Sequence, residues 1–171
     1  MGKYIVMRIL GIDPGYAIVG WGVIEYEASR FHVLGYGSIT TPAGLDIPKR
    51  LEMIYDGMNE LIDKYSPDSI AVEELFFGHN TTTAIVVGEA RGVILLSAQK
   101  HGIKISEYTP LQVKQAVVGY GRAEKNQVIT LVTQLLGLSA PPKPDDTADA
   151  LAIAVCHAHS GSSRIADYFN K

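Results

Sequence analysis

Four carboxylates stand out in this chain for the company they keep. Asp13 closes an apolar run, Arg8–Asp13 (RILGID), and is followed by Pro14-Gly15. Glu73 comes directly after Ile70-Ala71-Val72, inside another apolar run. Asp146 and Asp149 stand three residues apart where a last amphipathic stretch begins. On a helix that spacing puts two Cβ atoms roughly 5–6 Å apart on one face. Carboxylates brought together repel one another, so a fold gains nothing from clustering them without a cation. Mg²⁺ is the cation that hard oxygen ligands suit best. Two such ions about 4 Å apart activate a water and stabilise a leaving oxygen, which is what phosphodiester hydrolysis requires.

Each group also has a plainer reading. Asp13-Pro14-Gly15 is a turn signal. Asp-Thr-Ala-Asp opening a helix is a capping pattern with a favourable dipole interaction, although Asp145 is an alternative cap that would free the other two. Glu73 and its neighbour Glu74 point to opposite faces of a strand, and periodicity does not say which faces a site. Phe76, in Phe76-Phe77-Gly78-His79-Asn80, is either core or a ring that stacks on an unpaired base. Lys114 and Lys125 are either solvated or phosphate ligands. His157 and His159 read as helix-end residues, since imidazole suits zinc better than magnesium.

The elements that would position these groups follow from hydrophobic spacing. Strands are predicted at Arg8–Asp13, Gly20–Tyr26 and Phe31–Thr40, close enough together for an antiparallel meander. Ile47, Leu51, Ile54, Met58, Leu61 and Ile62 recur at helical spacing. Ser69–Leu75 is a strand, 81–100 a helix, and Ile103–Tyr108 a short strand. In the second helix Ala84, Gly88 and Gly92 form a stripe of small residues, suited to close packing on a second copy of the chain or on its own sheet. Pro110 opens a short helix, 128–135 marks another, and the last begins near Asp145 after a proline-rich loop. This order predicts an α/β fold: a mixed five-stranded sheet with helices on both faces. Functional groups in such folds gather at strand ends and loop mouths; Asp13 and Glu73 fall near strand ends, and Asp146 and Asp149 open the last helix.

Composition narrows the class. The 171 residues, 47 % hydrophobic and 19 % charged, fit one domain with a sizeable core rather than a disordered chain. We place that domain at 7–160, with 161–171 as a flexible tail. A single cysteine, Cys156, excludes an intrachain disulfide framework and a cysteine-rich zinc site, and fits a reducing cytoplasm. No apolar run reaches the roughly 18 residues that span a bilayer, and the start lacks the build of a signal peptide. Net charge is -3, but it is unevenly spread. Residues 91–143 carry seven Lys and Arg, among them Arg91, Lys114, Arg122 and Lys125, against Glu107 and Glu124. A basic segment between acidic ones is either a set of solvated faces or a footprint for a polyanion.

In order along the chain, several motifs resemble one family. They are Gly11-Ile12-Asp13-Pro14-Gly15, Ala71-Val72-Glu73 with Phe76, Ala90-Arg91-Gly92, Gln112-Val113-Lys114-Gln115, Val117-Val118-Gly119, Ala123-Glu124-Lys125 and Asp146–Ala152. The resemblance is to the RuvC family of Holliday junction resolvases, of the RNase H-like superfamily, and runs from about Met7 to His159. It implies Asp13, Glu73, Asp146 and Asp149 as catalytic ligands of two Mg²⁺ ions, with Mn²⁺ able to substitute and Asp13 bridging the pair. Asp145 falls outside the motif, and Glu74 stands where some relatives carry an uncharged residue. It implies Phe76 as an aromatic that engages bases at a junction centre, and Lys114 and Lys125 as contacts to the cleaved backbone. Arg91 and Arg122 of the same basic segment are expected to bind DNA beside them. It further implies a homodimer that nicks a four-way DNA junction symmetrically, leaving 5′-phosphate and 3′-hydroxyl ends, and work beside RuvA and RuvB in recombination and repair. The competing readings are an actin-like nucleotide-binding phosphotransferase, which would use Asp13-Pro14-Gly15 near nucleotide phosphates, and an inert junction-binding module.

Overall fold

A computed structural model describes residues 5–75 and 81–169. Its elements follow in the expected order. Strands β1 (Met7–Asp13), β2 (Ile18–Glu27) and β3 (Arg30–Thr40) precede helix α1 (Ile47–Tyr65). Strand β4 (Ser69–Glu73), helix α2 (Thr81–Lys100) and strand β5 (Lys104–Tyr108) come next. Helices α3 (Pro110–Val118), α4 (Lys125–Leu135) and α5 (Asp145–Phe169) complete the chain. The sheet has the order β3-β2-β1-β4-β5. The first three strands form the antiparallel meander, and β4 and β5 add in parallel to β1. This is the mixed sheet of the RNase H-like fold.

Strand alternation sorts the core into two layers. Leu10, Ile12, Ile70 and Val72 face one way and pack against Ile54 and Met58 of α1 and Ile94 of α2. Ile9 and Ala71 face the other way, against Val113 of α3, Val128 of α4 and Ile153 of α5. Both faces of β1 and β4 are thus covered, which explains their continuous apolar runs. Local signals fix the shorter helices. Thr109 caps α3 in a reciprocal box with Gln112, and Pro110 occupies its first turn. The turn after α3 closes on Gly119, whose φ of 91° favours glycine.

Helix α2 buries Ala90, Ile94 and Ala98, while Ile85 and Leu96 point outward, 68 % and 53 % exposed. A methyl group at Gly92 would meet nothing within 4 Å, and one at Gly88 only Leu75 at ordinary contact distance. The small-residue stripe therefore does not serve close packing on the chain's own sheet. Helix α5 continues past residue 160, the expected domain boundary, to Phe169. No described helix is long and apolar enough to cross a membrane.

Candidate active site

Register places the first two carboxylates together. Ile12 of β1 lies beside Val72 of β4 in parallel pairing, so Asp13 and Glu73, one residue further along each strand, are neighbours at the strand ends. Both stand two residues beyond positions whose Cβ direction faces α5, Gly11 and Ala71, so both point to the α5 side. Glu74 takes the opposite direction and is exposed; its N–H donates to the Tyr108 carbonyl. The strand-face question left open by periodicity is settled by which neighbours β4 acquires.

The other two carboxylates arrive on α5, which lies unusually close to the sheet. A Cβ at Gly11 would collide with the carbonyl oxygen of Ala150, and one at Gly20 with that of Asp146. Gly20 is also the register partner of Asp13. One missing side chain on β2 thus allows the start of α5 to settle next to the end of β1. Thr147, fully buried, fixes that start by donating from Oγ1 to the Gly37 carbonyl of β3 at 3.1 Å. Asp146 and Asp149 occupy the first turns of α5. Asp145 is inside the helix rather than its cap, and its carboxylate pairs with Lys143 at 3.1 Å.

The crowding has an electrostatic signature. Burial, then the charges of Glu73, Asp149 and Asp146, push the Asp13 carboxyl up to about 8, against the pull of Lys125. Burial and Asp149 also raise Glu73, opposed by Lys125 and Lys114. Burial raises Asp149, opposed first by Lys125. Lys125, at the start of α4, is therefore the cation common to all four carboxylates. Its Nζ lies 3.2 Å from Asp149 Oδ2 and 3.9 Å from Asp145 Oδ2. Desolvation pulls the Lys125 ammonium down, but Asp149, Asp145 and Asp146 outweigh it and hold it above its ordinary value. Glu73, Asp149, Lys114 and Lys125 line one cleft of ≈ 210 Å³.

This donor set suits a hard divalent cation: all four groups are carboxylates, and in three of them burial, then neighbouring acids, raise the carboxyl against the pull of Lys125. Among the described residues no three His, Cys, Asp or Glu side chains are already closed around a metal position. The carboxylates are Coulombic neighbours, and the Lys125 ammonium sits against Asp149. Binding an ion would draw them in and weaken the Lys125 contact.

The remaining sequence-predicted residues are dispersed around this centre. Lys114 is half-buried in the cleft, and Arg122 is exposed in the turn between α3 and α4. Arg91 is largely buried and pairs with Glu107 of β5 at 2.8 Å. It borders a second cleft with Glu73, Glu74 and Pro14, and its Nε is buried without a hydrogen-bond partner among the described residues. Phe76 lies outside the described residues. His157 and His159 are interior to α5, not at its end. His157 bridges Ser69 Oγ (2.9 Å) and Tyr108 Oη (2.7 Å), roughly 12 Å down the helix from Asp149 at 1.5 Å per residue. It ties α5 to β4 and β5 rather than entering the carboxylate cluster. Sequence reasoning missed the roles of Gly20 and Thr147. A glycine inside a predicted strand was the available signal for close backbone approach.

The chain is similar to known proteins over most of its length. The family model for the crossover junction endodeoxyribonuclease RuvC matches residues 9–157. The chain is similar to a protein of that description from Alkaliphilus oremlandii, at 59 % identity over 91 % of this chain and 95 % of the relative. A second, from Alkaliphilus metalliredigens, is 61 % identical over 91 % and 94 %. Among solved structures it is similar to the Thermus thermophilus RuvC structure, with a TM-score of 0.84 and 36 % identity over 92 % of this chain and 96 % of that one. It is likewise similar to T. thermophilus RuvC in complex with Holliday junction substrate, with a TM-score of 0.86 and 36 % identity over 91 % and 94 %.

Proposed function

Because this chain belongs to the crossover junction endodeoxyribonuclease RuvC family, we propose that Asp13, Glu73, Asp146 and Asp149 form its nuclease centre and that it resolves four-way DNA junctions. The observation that carries the assignment is the clustering of these four carboxylates, from two parallel strand ends and one helix start, around Asp13, with Glu73 and Asp149 lining a cleft beside Lys114 and Lys125. A fold has no structural reason to bury acids against one another. Neither the phosphotransferase reading nor the inert junction-binding module finds support in the family match.

Asp13, Glu73, Asp146 and Asp149 would hold the two Mg²⁺ ions, or Mn²⁺ in their place. When bound, such ions supply a nucleophilic water and charge stabilisation at the leaving oxygen. The chain's own part is to present its carboxylates deprotonated. A centre whose Asp13 holds a proton up to about pH 8 releases it as the ligand is taken up. Lys114 and Lys125 hold phosphates of the strand to be cut, assisted by Arg91 and Arg122, and Phe76 stacks on an opened base. Water oxygen bonds to phosphorus and the P–O3′ bond breaks, leaving a 5′-phosphate and a 3′-hydroxyl.

A four-way junction is two-fold symmetric, so paired nicks call for a two-fold dimer. The outward face of α2, with Ile85, Gly92 and Leu96, is the surface we assign to it. Work beside RuvA and RuvB in the cytoplasm is the corresponding proposal for its setting. The test is cleavage of a synthetic four-way junction against linear duplex, with and without Mg²⁺, for the parent, Asp146→Asn and Asp149→Asn. The parent should cut only the junction and only with metal. Normal Mg²⁺-dependent cutting by both variants would sink the four-carboxylate assignment.

A further inference from the structure

Arg50 has a setting that packing does not explain. It lies in the first turn of α1, 8 % exposed, and forms no ion pair among the described residues. Burying an unpaired cation is unfavourable, and an apolar side chain of similar volume would fill the same space at lower cost. The guanidinium is instead committed to a short stretch of chain. Its Nε donates to Thr41 Oγ1 at 2.8 Å and its Nη2 to the Thr41 carbonyl at 3.2 Å. Its plane lies over the Tyr16 ring, 4.3 Å from the centroid. Thr41 Oγ1 donates onward to the Tyr16 carbonyl, and the Thr41 N–H donates to the Ala17 carbonyl at 2.9 Å.

The turn 14–17 is thus held at two successive carbonyls and one ring. It begins one residue after Asp13. At Gly15 the backbone passes so close to the Ile18 carbonyl that no Cβ fits, so the turn has little freedom to reach the same end point by another path. We propose that Arg50 is a positioning residue for Asp13: acting through Thr41 and Tyr16, it fixes the turn that aims the Asp13 carboxylate into the site. This inference deepens the proposed function and rests on Asp13 being a metal ligand. Residues that orient metal ligands from behind cost on the order of 10- to 100-fold in metal affinity or activity when replaced.

The experiment compares the parent with Arg50→Leu, Arg50→Lys and Asp13→Asn. It measures the Mg²⁺ concentration for half-maximal junction cleavage, the rise in melting temperature on adding Mg²⁺, and junction affinity without metal. Arg50→Leu should need at least about tenfold more Mg²⁺ and show a smaller Mg²⁺-induced rise, with junction affinity within about twofold of the parent. Arg50→Lys should fall between, because it keeps the charge but not the planar fork that serves two acceptors and a ring. A residue that only supported the fold would lower melting equally with and without Mg²⁺. A folded Arg50→Leu with the parent's Mg²⁺ requirement and Mg²⁺-induced rise overturns the inference. Should Arg50→Leu not fold, Thr41→Val removes the hydroxyl that links Arg50 to the Tyr16 carbonyl. It must then show the raised Mg²⁺ requirement, and a parent-like response overturns the inference equally. Normal cutting by Asp13→Asn would instead remove the reading of the site itself. Loss of cutting by Asp13→Asn beside a normal Arg50→Leu would remove this inference alone.

Discussion

Replacing Asp13 by Asn should make the metal-free protein more stable, by an amount that depends on pH. The folded chain holds the Asp13 proton up to about pH 8, against an ordinary value of 3.8. A carboxyl whose folded pKa is raised destabilises the fold once the unfolded chain ionises. The penalty is absent below about pH 4, grows as pH rises, and is complete above about pH 8. Roughly four pH units at about 1.4 kcal/mol each set a ceiling of about 6 kcal/mol. That is as large as the whole stability of many domains, about 5–15 kcal/mol. The real figure is smaller, because Lys125 and the other carboxylates adjust as Asp13 ionises and effective screening inside proteins is strong; about 2–3 kcal/mol is the working expectation. For a chain of this length that corresponds to about 5–10 °C of melting temperature. The assay is thermal or urea unfolding of the parent and Asp13→Asn in a chelator, from pH 5 to pH 9. The difference should grow as pH rises and reach its plateau at or below about pH 8, the earlier the smaller the final value. With saturating Mg²⁺ the order should reverse, since the parent gains metal-binding energy that the variant lacks. A pH-independent difference, or a variant less stable than the parent at pH 8.5 without metal, would refute the crowding argument.

Three further expectations follow from the same geometry. Gly20→Ala forces the start of α5 away from β2; it should cost about 1–3 kcal/mol of stability and reduce Mg²⁺-dependent cleavage by more than that loss explains, measured at a temperature where the variant is fully folded. Lys114→Ala and Lys125→Ala should each lower the slope of log junction affinity against log salt by about 0.9, and Lys125→Ala should also bind Mg²⁺ more tightly in the free protein, since the ammonium on Asp149 competes for the same charge; unchanged slopes and unchanged metal affinity would show both lysines to be solvated. Ile85→Glu with Leu96→Glu should convert a dimer to monomers in sedimentation and leave melting of the isolated chain nearly unchanged, because both side chains are exposed; an unaltered mass would remove α2 as the interface.

Much of the fold was legible because its elements carry their own local signals. The run RILGID, the recurrence from Ile47 to Ile62, and the Thr109-Pro110 start of α3 specify strand, helix and cap without tertiary help. The likeness of Asp13, Glu73, Asp146 and Asp149 to a known pattern was legible for a different reason: it rests on residues in chain order, not on their positions in space. What spacing could not supply were quantities that exist only between elements. Glu73 and Glu74 are equivalent until β4 inserts between β1 and β5 and one side of the strand acquires α5. Gly20 reads as a weak point in a strand, yet its empty face is what admits the Asp146 backbone beside Asp13. The stripe on α2 reads equally as packing on the sheet or outward, and only the burial of Ala90, Ile94 and Ala98 on the other side of the helix decides it.

The same distinction explains why the site is crowded yet not closed. Fold-determining contacts here are backbone approaches and buried apolar side chains: Gly11 and Gly20 against α5, Ile153 against the sheet. These fix where each carboxylate's Cα stands, to within the tolerance of a packed core. They do not fix the last rotamer, and at that level electrostatics decides. There Asp149 pairs with Lys125, and burial among the other acids raises the Asp13 carboxyl. The scaffold is therefore rigid where it is apolar and responsive where it is charged. Crowding acids this way costs stability, and that cost is what the pH dependence of Asp13→Asn measures.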